Sequence, residues 1–176
     1  MGYTHYWKFK KIEENSDIKF ENAVNEFKRL YGLMKKFTRK ENDKYSGLKG
    51  GKVEIFGYDG TGEPILQPCN NLSSVACVSF NGDASKGQDY ETFAITPNET
   101  GFSFCKTARK SYDFAVCVCL LCFASEFDYF NVSSDGTADD WELPVQWFKD
   151  NSTYKILPKR ISERFDVSYI KEKSLD

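Results

Sequence analysis

The run 114–124, FAVCVCLLCFA, is the feature that most limits what this chain can become, because eleven consecutive residues carry no charged side chain. A membrane span needs about 20 apolar residues, so the run predicts an interior element rather than a crossing. Its apolar residues point all round a helix of 111–126, which places that helix centrally. Cys117, Cys119 and Cys122 form C-x-C-x-x-C inside it. Metal sites usually draw ligands from loops or paired knuckles, and no second C-x-x-C accompanies this one. A free cysteine otherwise behaves as a small buried hydrophobe. The three are expected to be packing, with no metal, no cofactor and no disulfide framework.

Immediately upstream, FCKTARKSYD (104–113) places Lys106, Arg109 and Lys110 within five residues. A strand ending at Lys106 and a helix starting near Thr107 or Ser111 would leave backbone N–H groups free between them. Such a start attracts anions, and cations there oppose the helix dipole by about 0.3–1 kcal/mol each. An anion is therefore expected beside them. It is either internal, with Asp113, Glu91 or Asp89 on Arg109, or a ligand phosphate held by Arg109 and Lys106. The stretch is not a Walker A loop, which needs G-x-x-x-x-G-K-[ST].

Charge is uneven. Residues 1–50 carry a net +5, residues 51–150 a net −9 and residues 151–176 a net +2. The Lys106–Arg109–Lys110 cluster is thus a local positive spot in an acidic segment, and no broad basic nucleic-acid face is expected. The N-terminus has no apolar signal region, so the expected location is the cytoplasm, or the host cytoplasm for a phage-encoded chain.

Along the chain, 3–11 alternates as a strand with Tyr3, His5, Trp7 and Phe9 on one face. Residues 16–38 read as the longest helix, capped by Ser16 or Asp17. Strands are expected over 52–58, 75–82, 90–97 and 100–106, and a strand followed by a turn over 129–136. A short helix is expected over 138–150, with Pro144 in its first turn. The tail 151–176 is amphipathic but weakly patterned, its Ile156, Ile161, Phe165, Val167 and Ile170 fitting either a last strand or a helix. One α+β domain over 1–176 follows, a mostly antiparallel sheet packed by two or three helices.

His5 is the only histidine and the one side chain that titrates near neutrality unperturbed. It and Glu91 are the candidate general bases; a lone histidine among aromatics is more often a hydrogen-bonded core residue. Asp135, Asp139, Asp140 and Glu142 are close enough in sequence to hold Mg²⁺, but Asp139 and Asp140 read more simply as a helix cap and first turn.

MGYTHYW at the start, ETF (91–93), FCKTARKSYD and SSDG (133–136) followed by DW (140–141) together resemble a family of small uncharacterised proteins of bacteria and of phages or other mobile elements. Ser111 stands where that family usually has Pro. The resemblance covers the first seven residues and roughly 90–141. The family has no settled activity, so the resemblance implies positions rather than a mechanism: Thr4, His5, Tyr6, Trp7, Glu91, Lys106, Thr107, Arg109, Lys110, Tyr112, Asp113, Ser134, Asp135 and Trp141. These are mostly polar or amphipathic, which favours a shared polar pocket.

Three functions follow as expectations. The first is a module binding an anionic, nucleotide-like ligand through Tyr6, Trp7, Lys106, Thr107, Arg109, Lys110 and Tyr112, with antagonism of a host defence system as its role by analogy. The second is a phosphodiesterase or nuclease using His5 or Glu91. The third is a protein–protein inhibitor, with a host defence protein as partner, acting through an acidic and aromatic surface.

Overall fold

The computed structural model describes residues 2–11, 14, 16–36, 53–68, 76, 78–97 and 100–154. The expected loop 41–51 and nearly all of the tail 151–176 lie outside them. Strand β1 (Thr4–Phe9) leads into helix α1 (Ser16–Met34). Then come β2 (Ile65–Leu66), β3 (Val78–Phe80), β4 (Phe93–Ile95) and β5 (Ser103–Lys106). Helix α2 (Asp113–Glu126), strand β6 (Phe130–Ser134) and helix α3 (Ala138–Asn151) complete the order.

The fold is α+β with antiparallel pairing, but the strands form two three-stranded sheets, β5-β1-β6 and β2-β3-β4. In the first, β1 is central. His5 lies opposite Cys105 and Ser134, and Tyr6 opposite Phe104 and Ser133. Expected strands shrink accordingly: of 52–58, only Phe56 makes a bridge, to Asn81.

Helix α2 is buried at every residue from Phe114 to Ala124. It packs against α1, α3 and β6, so no face is left to be polar, which is what its all-round apolar sequence demands. The thiols of Cys117, Cys119 and Cys122 are free, and burial pushes each well up from its ordinary pKa. Such thiols are inert packing groups. Helix α1 turns Phe20, Ala23, Val24, Phe27, Leu30 and Met34 into the same core at helical spacing. Its Ser16 hydroxyl lies 3.2 Å from Tyr129 Oη.

Two local expectations are corrected. Residues 107–110 do not begin the helix. Lys110 N–H donates to Thr107 O at 3.0 Å, and Ala108 and Arg109 have φ of 50° and 57°. This is the φ pattern of a type I′ turn, built without the usual Asn-Gly. Pro144 lies inside α3, not in its first turn. Helix α3 starts earlier than the proline signals because Thr137 and Asp140 close its N-terminus, with Thr137 N–H donating to Asp140 Oδ2 at 2.9 Å. Among the described residues no helix is long and apolar enough to cross a membrane.

Candidate functional site

β1 alternation sends His5 inward, where it is fully buried. Its Nε2 donates to Asp113 Oδ1 at 2.8 Å. Asp113 is the first residue of α2, and the Thr107 hydroxyl donates to the same oxygen. The Tyr3 and Trp141 rings stand edge-on to the imidazole at 5.0 and 5.2 Å. His5 Nδ1 has no hydrogen-bond partner among the described residues.

The turn at 107–110 is pinned to β1: Thr107 N–H and Ala108 N–H both donate to Tyr3 O, at 3.0 and 3.2 Å. Two consecutive left-handed non-glycine residues cost about 1–2 kcal/mol each. What this geometry achieves is the placement of Arg109. Its guanidinium lies 4.0 Å over the Tyr3 ring, and Nη2 donates to Asp140 Oδ1 at 3.0 Å. Burial works against the Asp140 carboxylate, but Thr137 N–H and Arg109 hold its pKa below the ordinary value. Tyr3 in turn needs Gly136, where an added Cβ would lie 2.6 Å from the Tyr3 hydroxyl. Burial raises the Tyr3 phenol pKa.

These groups border a cavity of about 200 Å³. Asp113, backed by His5 and Thr107, contributes to its lining together with Arg109, Lys110, Asp139 and Asp140, while Tyr3, Phe114, Leu143 and Pro144 supply apolar contact. Two cations and three carboxylates make the lining amphoteric. Arg109 is 42% exposed and commits one donor to Asp140. Lys110 reaches back to Gly87 O at 2.6 Å.

The residues singled out from sequence divide between places. Arg109 and Lys110 reach the cavity, and Thr107 supports it from beneath. Tyr112 is buried, donating to Glu91 O at 2.7 Å. Trp7 is buried against Phe93, with ring centroids 4.9 Å apart, and offers no face to a ligand. Tyr6 and Lys106 lie on the outward side of the sheet. Glu91 accepts the Lys106 backbone N–H at 2.6 Å, and its carbonyl accepts from Cys105 Sγ at 3.3 Å; it makes no contact with His5 among the described hydrogen bonds. The internal anion on Arg109 is Asp140 rather than Asp113, Glu91 or Asp89. Sequence reasoning missed Tyr3 and Asp140 as cavity residues. The alternation of β1 held a signal for Tyr3, which shares the face of His5.

His5 Nε2, Asp113 Oδ1 and Cys117 Sγ lie within 4.8 Å of one another and are the described residues that could hold a metal ion. The 2.8 Å His5–Asp113 separation is that of a hydrogen bond, and a cation would have to replace it. Asp139 and Asp140 stand in the first turn of α3, as a helix start favours. No family model, curated protein or solved structure matches the chain.

Proposed function

We propose that the chain is a binding module for a small anionic, nucleotide-like molecule, held at the Arg109 cavity. The observation that carries this reading is the strained turn that fixes Arg109 over Tyr3 at the cavity mouth. Strain of this kind concentrates at ligand sites, where it pre-organises a group for its partner. Arg109 retains donors for bidentate contact with a phosphate. Asp113, Asp139 and Asp140 accept from hydroxyl or amino groups, and Tyr3 and Phe114 provide apolar contact. A ligand carrying an anion together with several donors matches that lining better than a bare polyanion. The cavity, at about 200 Å³, is smaller than the ~300 Å³ at which drug-sized sites begin, so it encloses only part of a nucleotide, the phosphate and one neighbouring ring, and the rest stays outside. Sequestering such a molecule, as a phage antagonist of host defence would, is a role proposed by analogy alone.

Thermal unfolding with a panel of mononucleotides and dinucleotides tests the reading. A ligand at 100 times its Kd stabilises by about 2.7 kcal/mol, which for a chain of this size is a shift of roughly 5–10 °C. Stabilisation lost in Arg109→Ala supports the assignment; no shift with any phosphate-bearing compound rejects it.

A second reading, hydrolysis of the bound phosphodiester, rests on Asp113. One carboxylate oxygen is fixed by two donors, and the other has no partner among the described residues. Asp113 rather than the fully buried His5 would then be the base. Product formation abolished by Asp113→Asn separates this from simple binding, under which the nucleotide is recovered intact.

A further inference from the structure

The outward face of the β5-β1-β6 sheet carries chemistry that the cavity does not use. Register places Tyr6 beside Phe104 and Ser133, Lys8 beside Asn131, and Thr4 beside Lys106. Phe102 and Phe104 are 64% and 55% exposed. The Tyr6 and Phe102 rings stack at 5.5 Å and 24°, and Phe102 and Phe104 lie 6.3 Å apart at 35°. Two open phenylalanines, Phe104 on the edge strand β5 and Phe102 just before it, forgo their burial and invite aggregation, unless the face has an occupant.

Charge indicates which occupant. Lys8 and Lys10 are exposed, and neither has an ion-pair partner among the described residues. Lys106 Nζ sits 5.6 Å over the half-exposed Tyr90 ring. The two neighbouring carboxylates are engaged locally: Asp135 accepts the Tyr6 hydroxyl at 3.1 Å, and Glu91 the Lys106 N–H.

We propose that this face binds a short run of single-stranded nucleic acid. About two or three bases stack on Tyr6, Phe102 and Phe104, and phosphates pass Lys8, Lys10 and Lys106. Every base has a flat face, so stacking requires no sequence preference. A duplex, whose bases are already stacked, cannot use these rings. Three lysines give modest affinity and a shallow salt dependence, consistent with a chain that is acidic as a whole. The site is independent of the Arg109 cavity.

Fluorescence anisotropy of labelled oligo-dT and oligo-rU of about ten nucleotides, and of a duplex of equal length, tests this on the full chain at low salt. Single strands are expected to bind and the duplex not. The double variant Phe102→Ala/Phe104→Ala is expected to bind ~10-fold or more weakly with its thermal melting retained, because both rings are exposed. Lys8→Ala is expected to flatten the log K against log salt slope by about 0.7. Tighter binding of oligo-rU than oligo-dT would identify the 2′-hydroxyl as a contact; equal binding supports the same face for both. Absent single-strand binding, equal duplex binding, or binding indifferent to the phenylalanines overturns the proposal. So does binding lost in Arg109→Ala and kept in the double variant, which puts the strand in the cavity. Sedimentation showing a dimer that the double variant abolishes, with no oligonucleotide bound, assigns the face to a second copy instead and also overturns it.

Discussion

Arg29 and Arg109 are equally open to solvent, at 41% and 42%, and each faces a carboxylate. They are nevertheless built in opposite ways. Arg29 lies on the regular helix α1 and grips Glu26 through Nε and Nη2, both at 2.8 Å. The buried Glu26 also accepts Thr153 N–H at 2.7 Å and the Ser152 hydroxyl at 3.1 Å, and Arg29 donates to Asn151 O at 2.6 Å. That cluster is closed: it ties α1 to the end of α3 and leaves little capacity over. Arg109 stands on a strained turn, makes one side-chain bond, to Asp140, and borders a cavity whose lining includes Asp113, the partner of His5. Equal exposure with unequal satisfaction is the difference. The closed cluster has its hydrogen-bonding capacity spent within the fold, whereas the open one leaves guanidinium donors uncommitted, and these are the donors the proposed ligand would use.

The contrast can be tested from the stability side first. Glu26→Ala strands Thr153 N–H, Ser152 and Arg29, and a loss of about 2–4 kcal/mol is expected by urea denaturation. The same cluster sets an acid limb. Burial disfavours the Glu26 carboxylate, but Arg29, Thr153 and Ser152 hold its pKa down to about 2 from 4.5. A lowered carboxylate pKa stabilises the fold above the unfolded value and loses that contribution as pH falls. The melting temperature should therefore fall between pH 4.5 and 2 more steeply in the native chain than in Glu26→Gln. Equal slopes would show that the cluster is not closed in solution.

His5→Ala removes a buried ring and an Asp113 donor, and a loss of about 2–3 kcal/mol is expected. His5→Gln, which keeps a donor near the Nε2 position, should recover part of it. Full recovery by His5→Phe would show the ring to be packing only. Ala108→Gly probes the strained side of the contrast. Glycine adopts positive φ without a Cβ penalty, and a gain of about 0.5–1 kcal/mol is expected after its greater unfolded-state entropy is allowed for. A loss instead would mean that the turn is unstrained.

Much of the scaffold was legible in the residues. The run 114–124 could only be interior, and it is; its cysteines pack as expected of buried thiols. The alternation 3–9 put His5, Trp7 and Phe9 on one face, where they lie. That same alternation carried a consequence for the site: Tyr6 and Trp7 face opposite ways and cannot both line one pocket. The structure buries Trp7 and turns Tyr6 outward. Pairing across long separations was not legible. Asp140 reaches Arg109 only because α3 packs beside α2, and no spacing rule encodes a contact between residues 31 apart. The primed turn was hidden as well, since Ala-Arg lacks the Asn-Gly that marks it. The helix expected over 138–150 is found at Ala138–Asn151; only Pro144 was misplaced, because the Thr137–Asp140 closure sets the start about two turns ahead of it.

The measurement that bears most directly on the open cluster is calorimetric titration of a stabilising mononucleotide into the native chain, Arg109→Ala and Arg29→Ala. The expected result is one site in the native chain, binding weakened at least ~10-fold in Arg109→Ala, as loss of a charged hydrogen bond implies, and affinity unchanged in a folded Arg29→Ala. Equal weakening in both variants, or binding that ignores Arg109, would contradict the assignment of the cavity as the ligand site.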